Sequence, residues 1–211
     1  MLVHMVNLDL KRDLPVLQET GTTIAHNPSS NCKPASGIAA LPEMLDQGVN
    51  VGLGTDGAPC SNTYDMIREM LLAGINQKGR SHDASVVCAE DVLEMATING
   101  VRALGLEDSI GSLEVDKKTD FVVVDTSGLY AAPYDPAQIQ DGGVDPVTTL
   151  VHSCTGNDVD MVVVDGDVLV DRGKLVTIDE EMIKRRPREI IRGLREKAGI
   201  TAEPRAGWTY L

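Results

Sequence analysis

Aromatic residues, basic charge and long apolar runs are all scarce in this chain of 211 residues. Aromatic side chains account for only 3% of the residues, so the core has to be built from Val, Leu, Ile, Ala and Met. The formal net charge of -13 argues against nucleic acid and anionic membranes as partners, because phosphate groups are bound by clustered Lys and Arg. No apolar run approaches the ~18 residues that a membrane-spanning helix requires. We therefore expect a partner of neither kind.

Paired cysteines are missing as well. The four cysteines, Cys32, Cys60, Cys88 and Cys154, are widely spaced and form no CxxC pair. Such spacing is typical of free thiols in a reducing compartment, and it does not favour a zinc cage or a disulfide framework. We therefore expect a cytoplasmic protein.

Short apolar runs alternate with helical patterns in the first half of the chain. Strands are predicted at residues 1–6, 22–26 and 49–54, and helices at residues 9–19, 37–48, 65–77 and 89–104. This alternation predicts an α/β fold in which crossover helices connect the strands of a parallel sheet. We expect the first strand to be buried in the core.

The pattern changes after about residue 105, where short β-branched runs follow one another. These runs, predicted as strands, lie at residues 120–125, 149–153, 159–164 and 168–170. Asp165-Gly166-Asp167 separates the last two and is typical of a hairpin turn. This part is therefore predicted to be an antiparallel meander. Asp179 is predicted to cap a charged helix that ends at about residue 197.

A glycine-rich turn that contains Asp56 follows the strand predicted at residues 49–54. The carboxyl ends of parallel strands are where α/β barrels place their catalytic groups, so Asp56 is a candidate functional residue. The structural alternative is an aspartate that only stabilises the turn.

Three motifs occur together in this part of the chain. They are HNPSSN at residues 26–31, SGIA at residues 36–39 and GLGTDGA at residues 52–58. Together they resemble the amidohydrolase superfamily, in particular its branch of triazine-hydrolase-like and S-adenosylhomocysteine/methylthioadenosine deaminase-like enzymes. LVHMV at residues 2–6 resembles the sixth barrel strand of that branch, and residues 111–125 resemble the segment in which the chain leaves the barrel.

The resemblance implies a metal-dependent (β/α)8 TIM barrel that hydrolyses C–N or C–Cl bonds of purine-, nucleoside- or triazine-like rings. Asp56 matches the strand-eight aspartate, which binds one divalent metal, zinc or iron, and takes a proton from the attacking water. His4 matches the strand-six histidine, which hydrogen-bonds the water or the reacting group. The implied partner is a small heterocyclic substrate, and a homodimer is also expected because members of the family are often dimers.

Other polar residues near these positions have simpler expected roles. His26 is expected to hold the HNPSSN loop by hydrogen bonds, and Asn27 and Asn31 are expected to brace it. Ser61 and Asn62 open the helix after the strand that carries Asp56, where they serve either as caps or as substrate-binding residues.

Two elements of the family pattern are missing: the HxH pair and the strand-five histidine with its nearby glutamate. The only histidines are His4, His26, His82 and His152, and none of them form an HxH pair. We therefore expect the C-terminal part of the enzyme. Residues 1–108 would hold about strands six to eight of the barrel, residues 109–178 part of a small antiparallel β domain, and residues 179–211 a C-terminal helix and tail.

The missing histidines also bear on the metal. One aspartate and one histidine that does not bind the metal fall short of the three protein ligands that a catalytic zinc needs. We therefore expect this chain alone to bind no catalytic metal tightly. The alternative function is a truncated, non-catalytic remnant of an amidohydrolase, which keeps the fold without the chemistry.

Overall fold

The computed structural model of the protein describes residues 1–132 and 134–200, and these residues belong to two units that divide after Lys174. The first unit begins with a sheet of three parallel strands, β1 (Leu2–Val3), β2 (Ile24–His26) and β3 (Val51–Leu53), with β2 in the centre. Leu2 pairs with Ile24, and Ile24 pairs with Val51. The predicted parallel α/β arrangement is confirmed.

Seven helices accompany this sheet within the described residues. They are α1 (Asp13–Glu19), α2 (Pro28–Cys32), α3 (Leu41–Asp46), α4 (Ala58–Ser61), α5 (Met66–Ser81), α6 (Ala89–Ala96) and α7 (Ile98–Leu104). The helix predicted at residues 89–104 is interrupted at Thr97, whose non-helical backbone separates α6 from α7. The hydroxyl of Thr97 donates to the Leu93 carbonyl at 2.7 Å, a local bond that competes with helix continuation.

The core of this unit is aliphatic and rich in methionine, as the scarcity of aromatic residues requires. Ile24, Val51, Met44, Val92 and Met95 are all almost completely buried in it.

β1 does not share this burial. Leu2 and Val3 are 44% and 51% exposed, so the prediction of a buried first strand is wrong. The reason is the position of β1 at the edge of the sheet, where β2 is its single hydrogen-bonded neighbour among the described strands.

A second, antiparallel sheet contains β4 (Phe121–Val124), β5 (Val159–Val164) and β6 (Asp167–Asp171), and β7 (Lys174–Leu175) follows in the strand order. The turn between β5 and β6 has positive φ at both central residues, 52° at Asp165 and 85° at Gly166. Positive φ at both positions defines a type I′ turn, which matches the twist of the flanking strands. The predicted hairpin is confirmed.

The strand predicted at residues 149–153 is wrong, because these residues belong to a helix, α8 (Pro146–Ser153). Asp145 caps this helix by accepting a hydrogen bond from the Thr148 backbone N–H at 2.6 Å, and Pro146 occupies the first turn. The Asp145-Pro146 start therefore favours a helix here, although the β-branched residues that follow favour a strand. Two short 3-10 turns, Pro136–Asp141 and Gly156–Asp158, flank α8.

The second unit contains the predicted C-terminal helix, α9 (Glu180–Lys197). Asp179 caps it by accepting a hydrogen bond from the Met182 backbone N–H at 3.0 Å. The irregular tail predicted at residues 202–211 lies outside the described residues, and the division at residues 108 and 178 stays a prediction. No helix in the described ranges is both long and apolar enough to cross a membrane.

Gly52 in β3 packs directly against α7. A Cβ atom at Gly52 would lie 2.9 Å from the Cα atom of Gly100, and backbone cannot move away as a flexible side chain could. We expect Gly52→Ala to lower the free energy of unfolding by about 1–3 kcal/mol, the range typical of overpacking. The matched control is Gly79→Ala on α5, where nothing lies within 4 Å of the added atom. Denaturant unfolding should show a gain of about 0.5–1 kcal/mol for that variant, and an equal effect of both changes would contradict the close packing.

Candidate active site

The candidate site lies at the carboxyl ends of the three parallel strands. His4 directly follows β1, and its backbone N–H donates to the Ala25 carbonyl at 3.0 Å. Asp56 lies in the turn between β3 and α4. Both residues have positive φ, 68° at His4 and 58° at Asp56. Such a backbone conformation is uncommon for residues with a side chain, and aspartate and histidine are among the residues that adopt it most readily.

The segment that follows β2 fills the space between these two residues. Neighbouring strands lie about 4.8 Å apart, so the ends of β1 and β3 are separated by ~10 Å. α2 begins in this gap, directly after β2. The Ser30 hydroxyl donates to Asp56 Oδ2 at 2.6 Å, and Asn31 Oδ1 accepts from His4 Nδ1 at 2.7 Å. One short helix therefore holds both side chains.

The hydrogen bonds to Asp56 favour its ionised form. The bond from Ser30, above all, holds the pKa of the Asp56 carboxyl below its usual value. The Gly57 backbone N–H, 2.7 Å from Oδ1, and the Cys60 thiol act in the same direction, and His4 contributes a smaller electrostatic effect. Partial desolvation opposes these effects but does not cancel them. Asp56 is therefore a carboxylate that is ready to bind a cation or to accept a proton.

His4 and Asp56 face each other, with His4 Nε2 3.7 Å from Asp56 Oδ2. Because Nδ1 donates to Asn31, Nε2 of a neutral ring is a hydrogen-bond acceptor. Two acceptors at this separation are suited to a molecule that donates to both, such as a water or an amine. The side chains are 38% and 32% exposed, so a small molecule can reach them from solvent. The structure thus brings the two predicted residues together, and their catalytic roles stay predictions.

His26 differs from its expected role. It is only 3% exposed, and neither ring nitrogen has a hydrogen-bond partner among the described residues. The prediction that His26 holds the loop by hydrogen bonds is therefore wrong. Burial, and to a smaller extent the nearby charge of His4, lowers the pKa of His26 to about 4. Asn27 does brace the loop, because its side-chain amide donates to the Ala25 carbonyl at 3.1 Å.

The prediction that Ser61 and Asn62 open a helix is wrong, because Ser61 is the last residue of α4, Asn62 follows it, and Asp65 caps the start of α5. The Ser61 hydroxyl donates to the Thr63 carbonyl, and the Ser61 side chain is buried. Asn62 ends α4 in a left-handed conformation, and its Oδ1 accepts a hydrogen bond from Lys33 Nζ. Their predicted contact with substrate stays a prediction.

A catalytic metal at this site would need several protein ligands. Asp56 can supply one carboxylate ligand, with His4 beside it. Within residues 1–132 and 134–200, however, no group of three or more His, Cys, Asp and Glu side chains could hold a metal ion. Three protein ligands are typical of a catalytic zinc. The described residues therefore do not form a complete site for such a metal.

The sequence of this chain is similar to that of known hydrolases. The sequence model described as the amidohydrolase family matches residues 1–169. The 5-methylthioadenosine/S-adenosylhomocysteine deaminase of Acetivibrio thermocellus is 38% identical over 187 residues, which cover 89% of this chain and 41% of the relative.

Solved structures are similar in fold as well as in sequence. An adenosine deaminase from Xanthomonas campestris with bound zinc superposes with a TM-score of 0.84 at 31% identity, covering 92% of this chain and 42% of that one. The atrazine chlorohydrolase of Arthrobacter aurescens, complexed with zinc, gives a TM-score of 0.78 at 26% identity and covers 90% and 40%. This chain thus spans about two fifths of the length of the relatives it matches.

Three contributors to the site were not predicted from the sequence. They are Ser30, which binds Asp56, Ser29 in the same helix, and Glu69, which binds Ser29 from α5. The histidine and asparagines of the HNPSSN motif were the expected contributors, whereas Ser30 makes the contact that holds the Asp56 carboxylate. Glu69 carries no sequence signal, because a single glutamate in a helix is usually solvated.

The buried His26 should make stability depend on pH. Its pKa is about 4 in the folded protein against a reference value of 6.5, so the unfolded chain binds the extra proton between these values. The free energy of unfolding should therefore fall as the pH decreases from about 6.5 to about 4, by about 3 kcal/mol in all. Denaturant unfolding at several pH values measures this slope. In His26→Leu the free energy of unfolding should depend less on pH, by the contribution of one proton. An unchanged slope in that variant would contradict the burial of a neutral imidazole.

Loss of the Ser30 hydroxyl should raise the pKa of Asp56. Ser30→Ala removes the hydrogen bond that contributes most to the lowered value. Carbon-detected NMR titration of the Asp56 carboxyl measures the change. Ser85→Ala is a matched control, because the Ser85 hydroxyl lowers the pKa of Asp83 in the same way. The control should shift Asp83 alone, and an Asp56 titration that is the same with and without Ser30 would refute the contact.

Proposed function

Because this chain belongs to the amidohydrolase family, we propose that the protein is a metal-dependent hydrolase that cleaves C–N or C–Cl bonds of small heterocyclic compounds. The observation that carries the proposal is the convergence of His4 and Asp56 at the ends of parallel strands, with Nε2 and Oδ2 3.7 Å apart. Deamination of a purine nucleoside is the favoured reaction. The named deaminases among the similar proteins support it, and the similar chlorohydrolase keeps C–Cl cleavage as the related reaction.

The roles of the two residues follow from their hydrogen bonds. Asp56 is held ionised by Ser30 and can accept a proton from an attacking water, then return it to the leaving amine. His4 is oriented by Asn31 so that Nε2 faces the same space, where it can accept a hydrogen bond from the water or the amine. A hydrolysis of this kind needs a proton acceptor and a fixed orientation, and the pair supplies both.

A complete metal site would need residues in addition to those that are described. In the proposed enzyme Asp56 supplies one ligand, and the others come from polypeptide beyond this chain. The length of the relatives supports this proposal, because this chain spans about two fifths of them. We infer accordingly that β1, β2 and β3 are about strands six to eight of a (β/α)8 barrel, and that the metal is zinc, as in the two similar zinc-bound structures.

Two broader expectations remain proposals. We infer a cytoplasmic location from the free thiols of Cys32, Cys60, Cys88 and Cys154, which suit a reducing compartment. A homodimer is proposed from the family alone.

The test uses the natural protein that contains this sequence, purified in the presence of zinc. Ammonia release is measured with adenosine, 5′-methylthioadenosine and S-adenosylhomocysteine, and chloride release with a chlorotriazine. We expect turnover of at least one nucleoside, and a loss of about 10²–10⁴-fold in kcat/KM for Asp56→Asn, the range typical of a lost acid–base group. Asp83→Asn, a loop carboxylate outside the site, is the control. Wild-type activity in the Asp56 variant, or no turnover of any of these compounds, would rule out the proposal.

A further inference from the structure

Glu69 is a completely buried acidic side chain of the first unit. It lies on α5 and is 0% exposed. No Lys, Arg or His forms an ion pair with it in the described part of the chain. Its partners are the backbone N–H of Ser29, 3.1 Å from Oε2, and the Ser29 hydroxyl, which donates to Oε1. Burial of an unpaired charge is unfavourable, so an ionisable side chain at this position calls for a physical reason.

The partner of Glu69 supplies that reason. Ser29 is the residue before Ser30 and Asn31 in α2, the two residues that bind Asp56 and His4. A carboxylate only accepts hydrogen bonds, and bonds to a charged acceptor are shorter and stronger than those between neutral groups. Two such bonds fix both the backbone and the side chain of Ser29. They therefore fix the first turn of α2 relative to α5.

An apolar side chain would not replace this carboxyl group. Leucine, which is similar in size, presents no acceptor, so it leaves both donors of Ser29 unpaired. α2 is a helix of five residues and cannot set its own position by regular hydrogen bonding. Its position depends on the residues that hold it from outside, and Glu69 is the most deeply buried of them.

We propose that Glu69 is a positioning residue for the His4–Asp56 pair, and that it acts through Ser29 to hold Ser30 against Asp56 and Asn31 against His4. The proposal rests on the proposed function only in treating this pair as the reacting groups. Glu69 contacts neither of them, so its effect must pass through α2. The consequence is a single orientation of the His4 ring, with its proton on Nδ1.

The test reads the imidazole of His4 directly. Long-range proton–nitrogen NMR spectra of the full chain at about pH 8, above the usual titration range of histidine, report which ring nitrogen carries the proton. His4→Gln identifies the signals. Glu69→Leu removes both acceptors and Ser29→Ala removes the hydroxyl donor, whereas Ser29→Thr keeps both donors. Glu43→Leu is the matched control, because it removes another carboxylate contact, with Arg80, away from α2.

We expect one tautomer, protonated at Nδ1, in the wild type, in Ser29→Thr and in Glu43→Leu. Glu69→Leu and Ser29→Ala should lose this single form and show both tautomers. If Glu69→Leu does not fold by circular dichroism, Ser29→Ala decides, because it keeps the backbone bond. A folded variant with the wild-type pattern, or mixed tautomers in the wild type itself, would overturn the proposal. The spectra require no turnover. The positioning role of Glu69 can therefore be refuted while the proposed hydrolase activity holds, and the activity can be refuted while the positioning role holds.

Discussion

The hydrogen bond from the Ser30 hydroxyl to Asp56 is the interaction on which the rest of the site depends. It joins α2, which follows the central strand, to the turn that follows β3, and it is the largest cause of the lowered pKa of Asp56. Without it, the contacts that remain to the carboxylate in the described part of the chain are its own turn, the partly exposed Cys60 thiol and His4. With it, a helix that also binds His4 determines the distance between the acid and the imidazole.

Strain and burial accompany this arrangement. His4 and Asp56 both adopt positive φ, and Glu69 and His26 are ionisable groups in the interior. Each of these features is unfavourable for stability when taken alone. They lie at or beside the carboxyl ends of the parallel strands, whereas the core is built mainly from aliphatic side chains and methionine. Such a distribution is expected where the fold maintains a chemical site against its own stability.

The sequence predicted the features that depend on local chemistry. The Asp165-Gly166 turn needs residues that tolerate positive φ, and the Asp179 cap needs a short acceptor, so both could be placed in advance. His4 and Asp56 were found through motifs. The strand predicted at residues 149–153 is wrong, because the Asp145 cap and Pro146 start a helix there in spite of the β-branched residues that follow. The isolation of His26 and the contact between Glu69 and Ser29 depend on packing across 40 residues of chain, which no local pattern reveals.

A crystal structure of the natural protein tests the central claim most directly, because it shows where the Asp56 carboxylate points. We predict that Ser30 Oγ lies within hydrogen-bonding distance of Asp56 Oδ2, and that His4 Nε2 lies on the same side of the carboxylate, within about 4 Å. An Asp56 side chain directed to bulk solvent, with Ser30 bonded elsewhere, would contradict the account.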